Sequence, residues 1–351
     1  MHSLIALLPV LVFLAALWLM DTFKLVRRTS IVAALTYGAL AAVACEAFHG
    51  WALTATGLDV RTFSRYVAPF TEESAKAMFV ALLIARRRVG FLVDAAVLGF
   101  AVGTGFAIVE NVTYLRDLRD APLMLWAVRG LGTGVLHGAT TAIAAIAGKA
   151  VADRYSRSTV TAFAPGMALA IAIHSAYNHL LAWPVVAAVA VLVSLPIVVV
   201  AVFERSERAT REWVGAGLDL DLGLLQLVLS EGFQTTRFGA YLRTLPSHFD
   251  RVIVADMFCL LRIELELAVQ AKARLIAREA GLEIPVDDDL HDALSEWAYL
   301  RDSIGPIGLL ALEPLRVTSY RDDWHRHLLS QAGLRERLRR RFRMGRAEQV
   351  R

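Results

Sequence analysis

A chain of 351 residues, 56% of them hydrophobic and with a mean hydropathy of +0.51, exceeds the roughly 45–50% apolar share of soluble domains, which excludes an ordinary soluble enzyme. The formal net charge of +4 is no sign of nucleic acid. Residues 1–203 hold 15 Lys+Arg against 10 Asp+Glu and residues 204–351 hold 22 against 23, so the basic surplus flanks the apolar half, as it does in membrane proteins.

Seven apolar stretches follow one another: Ser3–Met20, Ile31–Thr56, Tyr66–Ala85, Phe91–Tyr114, Leu123–Gly148, Thr159–Ala182 and Val185–Phe203. Each approaches or exceeds the roughly 20 residues that a membrane span needs. The first lacks a basic leader and is followed by Lys24, Arg27 and Arg28, the pattern of a retained helix with its N-terminus outside. Arg86, Arg87 and Arg88 stop the third span, and Pro184 breaks the chain before the seventh. Loops 21–30, 86–90 and 149–158, with the stretch 204–211, carry twelve Lys+Arg, whereas loops 57–65, 114–122 and 183–184 carry four. The predicted architecture is therefore an all-α polytopic membrane helix bundle of seven spans, N-terminus out and C-terminus cytoplasmic, in the cell membrane.

Three segments are expected: a bundle over 1–203 with its polar core in 66–182, a cytoplasmic and mainly helical domain over 204–334, and a basic tail over 335–351. No function is legible in 204–334. Within the tail, residues 335–346 hold seven arginines with Leu338, Phe342 and Met344, a composition that suits either contact with anionic headgroups or a solvated tail. Gly99-x-x-x-Gly103 and Gly130-x-x-x-Gly134-x-x-x-Gly138 predict close helix packing in preference to substrate contact. Cys45 and Cys259 have neither disulfide nor metal spacing.

The polar residues inside the spans concentrate the chemistry. Charges there are expensive, about 2.5–3.5 kcal/mol each at a helix centre on insertion scales, and they usually face a bundle interior. The third span holds Glu72, Glu73 and Lys76, the fourth Glu110 and Asn111, the fifth His137, the sixth His174 and Asn178. Lys76 stands four residues from Glu72 and three from Glu73 and can neutralise either. At about 1.5 Å per residue, Glu73, His137 and His174 come out roughly 18–22 Å from the inner face, with Glu110 farther out. One shared site in the outer half of the membrane follows. Around it, His49 with Glu46 reads as a weak accessory, Asp94 as a headgroup or Arg88 contact, and Arg129 as a counter-ion to Glu110 or a lipid phosphate.

Two chemistries are open to this set. A carboxylate in an apolar cavity is a stronger base near neutral pH, so Glu72 or Glu73 could activate water, with His137 and His174 as oxyanion donors or proton shuttles and Asn178 orienting His174 or polarising the scissile carbonyl. In the metal version Glu110, His137 and His174 would supply the two-His-one-carboxylate set of a catalytic Zn²⁺, leaving a position for water. A proton-coupled transporter using the same residues as a relay, or a non-catalytic scaffold, would also accommodate them; no internal repeat supports the transporter.

The motifs Glu72-Glu73-Ser74-Ala75-Lys76 and Gly105-Phe106-Ala107-Ile108-Val109-Glu110-Asn111, then His137 and His174-x-x-x-Asn178, in order and each in its own span, resemble the PrsW family of intramembrane proteases, distant relatives of the CAAX prenyl endopeptidases. The resemblance covers roughly residues 31–203. It implies cleavage of a single-span membrane protein, typically an anti-sigma factor, in the lipid bilayer, with no nucleic-acid partner. It implies Glu72, Glu73, His137 and His174 as catalytic residues and Lys76, Phe106, Glu110, Asn111 and Asn178 as their support. Metal-dependent and glutamate-dependent mechanisms both stay open under it.

Overall fold

A computed structural model describes residues 1–21, 25–155, 160–282, 284, 288–315 and 328–329. The basic tail 335–346 and Thr159, the start of the sixth predicted span, lie outside the described residues. The described chain is all-helical, without a strand, and divides into two compact units, 1–208 and 209–351.

The first unit contains α1 (His2–Met20), α2 (Arg28–Thr56), α3 (Ala68–Ala85), α4 (Leu92–Asp117), α5 (Val135–Tyr155), α6 (Ala164–His179) and the first part of α7 (Pro184–Leu229). Five stretches among the described residues are long and apolar enough to cross a membrane: α1, α2, α4, α7 and Leu123–Arg154, which ends in α5. The third and sixth predicted spans are shorter helices of 18 and 16 residues, about 27 and 24 Å long. Pro69 and Pro165 set their starts, where a missing N–H is tolerated, and α3 carries three charges. Large apolar side chains such as Leu40, Val43 and Trp51 on α2 and Val189, Val193 and Ile197 on α7 are exposed, a surface suited to lipid.

Helix α4 is the axis of this unit. Every residue from Val93 to Ala107 is buried, because α2 and α5 pack along it at backbone distance. A Cβ on Gly103 would lie 2.1 Å from the His137 carbonyl oxygen, one on Gly105 2.0 Å from that of Leu35, and one on Gly38 1.9 Å from that of Val102. Only glycine permits such approaches, as the small-residue spacing predicts. Asp94 is not a headgroup ligand. Its Oδ2 accepts the backbone N–H groups of Gly90 (3.1 Å) and Phe91 (3.0 Å), and so caps donors that α4 would otherwise leave unmet.

Two π-helical turns precede the site helices. Val60–Thr62 and the π-turn Phe63–Val67 lead into α3, and Leu123–Ala127 with the π-turn Val128–Gly134 leads into α5. Pro69 has no N–H for the carbonyl of Arg65 in α register or of Ser64 in π register. Side chains of α6 take over. Ser175 Oγ donates to the Arg65 carbonyl (2.6 Å) and Asn178 Nδ2 to that of Ser64 (2.7 Å).

In the second unit, α8 (Arg237–Leu242), α9 (Arg251–Glu279) and α10 (Asp288–Ala311) share a core including Met257, Leu260, Leu267, Leu290 and Leu300. Its buried Lys272 donates to Asp221 (2.5 Å) and to the Gly217 carbonyl (3.2 Å), so neither charge is stranded.

Candidate active site

Helix α3 brings two adjacent carboxylates into a buried space between α4, α5 and α6. Successive residues on a helix point about 100° apart, and the two acids meet different surroundings. Glu73, 1% exposed, is engaged at one oxygen: its Oε1 accepts from Lys76 Nζ (2.6 Å), Thr140 Oγ1 (3.1 Å) and His174 Nδ1 (2.8 Å), while its Oε2 has no hydrogen-bond partner. Glu72, also buried, has an Oε2 without any hydrogen-bond partner. That oxygen lies 4.0 Å from His137 Nδ1 and 4.0 Å from His174 Nε2.

The partners assign the imidazole protons. An ammonium only donates, so His137 Nδ1 accepts from Lys76 Nζ at 3.0 Å and its Nε2–H donates to Glu110 Oε2 at 2.9 Å. His174 donates Nδ1–H to Glu73 and turns a lone pair at Nε2 toward Glu72. The two rings meet edge to face with centroids 5.1 Å apart. Phe106 closes one side, with its ring 5.1 Å from that of His137 and 4.9 Å from Lys76 Nζ.

Toward the end of α4 the network continues through Glu110. Arg129 Nη2 stands 3.2 Å from Glu110 Oε2, an ion pair without hydrogen-bond alignment, and its Nε donates to Asn111 Oδ1 at 2.9 Å. The guanidinium lies 3.5 Å from the Tyr114 ring centroid. Asn111 Nδ2 in turn donates to the Ala6 carbonyl of α1 (2.8 Å). His49 stands at the rim, its Nε2 2.7 Å from Thr71 Oγ1 and its Nδ1 4.0 Å from Glu72 Oε1.

Residues 24–203, just over half of the chain, match the model of a family described as PrsW family intramembrane metalloprotease. The chain belongs to the PrsW family. No curated protein and no solved structure matches it. Membership makes this a multi-pass membrane protease and decides against the transporter and scaffold alternatives.

The structure of this PrsW-family chain gathers Glu72, Glu73, Lys76, Phe106, Glu110, His137 and His174 into one network. Asn111 touches it only through Arg129. Asn178 stands apart, because the carbonyl left open by Pro69 claims its amide. Thr140 and Arg129 complete the network. Thr140 carries no charge to mark it, and its signal is its place one turn after His137; Arg129 has the counter-ion role that its approach to Glu110 predicts.

The family description implies a metal, and the donor set fits one. Glu72, His137 and His174 each offer a ligand atom within 4.8 Å of the other two, and Glu72 Oε2 stands 4.0 Å from both His137 Nδ1 and His174 Nε2. A tetrahedral ion about 2 Å from each would draw them to about 3.3 Å apart. Glu72 is an orphaned buried oxygen that a cation would satisfy, and Glu73 behind His174 forms the carboxylate–histidine support common at metal sites. This trio has Glu72 where the sequence predicts Glu110. The reason is geometric: Glu110 is paired with Arg129 and meets the opposite, Nε2, edge of His137.

Proposed function

We propose that this chain cleaves a single-span, anti-sigma-factor-like membrane protein by water activated at Glu72, with His174 and His137 beside it. The supporting observation is the unpartnered Glu72 Oε2 facing both imidazoles, while Glu73 is tied through Oε1 to Lys76, Thr140 and His174. In this reading α3 and α6 also cross the bilayer, which makes seven spans with the N-terminus outside and the C-terminus in the cytoplasm of a cell-membrane protein. The 204–334 region is a cytoplasmic helical domain and 335–351 a basic tail that meets anionic lipid through residues 335–346.

Glu72 takes the proton of the attacking water and is placed to return it to the leaving nitrogen. Glu73 orients His174 through Nδ1, Lys76 balances the charge of Glu73, and Glu110 with Arg129 orients His137. Phe106 and the buried face of α4 keep bulk water away. Were a zinc ion held by Glu72, His137 and His174, it would supply Lewis acidity and a more acidic water, and Glu72 would then serve as a ligand in place of the base.

Purified protein in liposomes with single-span substrates tests the proposal. Glu72→Gln and His174→Ala are each expected to lower cleavage by about 10²–10⁴-fold, the range of a lost general base, and Glu73→Gln by less. Cleavage by Glu72→Gln at the wild-type rate would sink the assignment. Loss of activity after prolonged chelation, restored by Zn²⁺, is the result expected of the metal set.

A further inference from the structure

The third metal ligand already has a cation on its lone pair. Lys76 Nζ sits 3.0 Å from His137 Nδ1, the same nitrogen that faces Glu72. Lys76 is fully buried, so no water screens its charge from the cluster. With the ammonium in place, an entering metal finds Glu72 Oε2 and His174 Nε2 but not His137, two protein ligands where catalytic zinc sites use three.

We propose that the Lys76 ammonium and a divalent metal ion are alternative occupants of the His137 Nδ1 lone pair, so that Lys76 sets how tightly the cluster holds metal. This rests on the metal reading of the Glu72, His137 and His174 set. The exchange asks little of the lysine. It keeps its proton, its 2.6 Å bond to Glu73 and its place near the Phe106 ring, and gives up only the bond to Nδ1. The glutamate that orients His174 thereby also holds the competing cation within reach of the site.

Titration of the full-length protein with Co²⁺, followed by its visible absorption, tests this without reference to cleavage. Lys76→Met and Lys76→Gln are expected to bind Co²⁺ at least about tenfold more tightly than wild type, the lower end of second-layer effects on metal affinity, and to show the intense bands of four-coordinate cobalt. Lys76→Arg, which keeps the charge, is expected to match wild type. Removing the lysine also strips Glu73 of its counter-ion, and that alone would attract metal. The two causes separate in a His137→Ala background. Competition at His137 predicts that the gain shrinks there to less than about threefold, since coupling between the two residues would be lost. A full gain in that background, no gain in either neutral variant, or no Co²⁺ binding by any form would each overturn the proposal. Failure of the protease reading would show instead in the liposome assay and leave these affinities intact.

Discussion

At the scale of residues, the two neighbouring glutamates of α3 illustrate how far identity and role can separate. Glu72 and Glu73 have the same chemistry and both are buried, yet Glu72 turns a free oxygen toward two imidazoles while Glu73 has its Oε1 held by Lys76, Thr140 and His174. Their presence in an apolar segment was legible because buried charge is rare and conspicuous. Their division of labour was not, because it depends on how α3 is rotated about its axis. The same applies to Arg129, whose partners are 18 and 19 positions away in sequence and on another helix. Arg129→Met would leave Glu110 without its cation beside His137. We expect a loss of about 1–2 kcal/mol, less than for a fully buried pair because the Glu110 side chain is 26% exposed, seen as a lower unfolding temperature in detergent, with Arg129→Lys recovering part of it. Equal stability of all three forms would show that the pair holds nothing in place.

At the scale of elements, the site rests on helices that touch through their backbones. Gly103 meets the carbonyl of His137 itself, so the α4–α5 distance and the position of the imidazole are one variable. Gly103→Ala must push α5 away from α4 and is expected to abolish cleavage and lower the yield of folded protein. Gly50→Ala, where a Cβ would meet nothing within 4 Å, is the matched control and is expected to behave as wild type or slightly better, given alanine's higher helix propensity. Cleavage counts normalised to folded protein distinguish them. Five of the predicted spans were legible from apolar length alone, and the glycine spacing correctly predicted close packing. The π-turns were not, since a widened turn has no compositional mark. The hydrogen bond of Asn178 was hidden for the same reason: it stands one turn from His174, and its amide goes to the carbonyl freed by Pro69. The C-terminal limit of α7 also escaped sequence reading. The uninterrupted apolar run ends at Phe203, but the helix goes on to Leu229, with pairs such as Arg208 and Glu204 at 3.0 Å on its polar stretch.

At the scale of the whole molecule, all the network residues lie in the first unit, and the second has its own core. A chain ending at Arg208 is therefore expected to cleave a single-span substrate in liposomes within a few-fold of the full-length rate. A complete loss, with the truncated protein still folded, would assign the second unit a part in the reaction. The family match likewise begins only at residue 24, and α1 lies before it. Yet α1 gives its Ala6 carbonyl to Asn111 and lays its Ile5 carbonyl where a Cβ on Gly130 would come within 2.0 Å. The Ile5 oxygen is the one whose usual helical donor is missing at Pro9. Both attachments use main-chain oxygens, which every amino acid carries. Substitutions on the exposed face of this helix would leave both attachments in place, provided that Val10, Leu14 and Leu17 keep their places in the core.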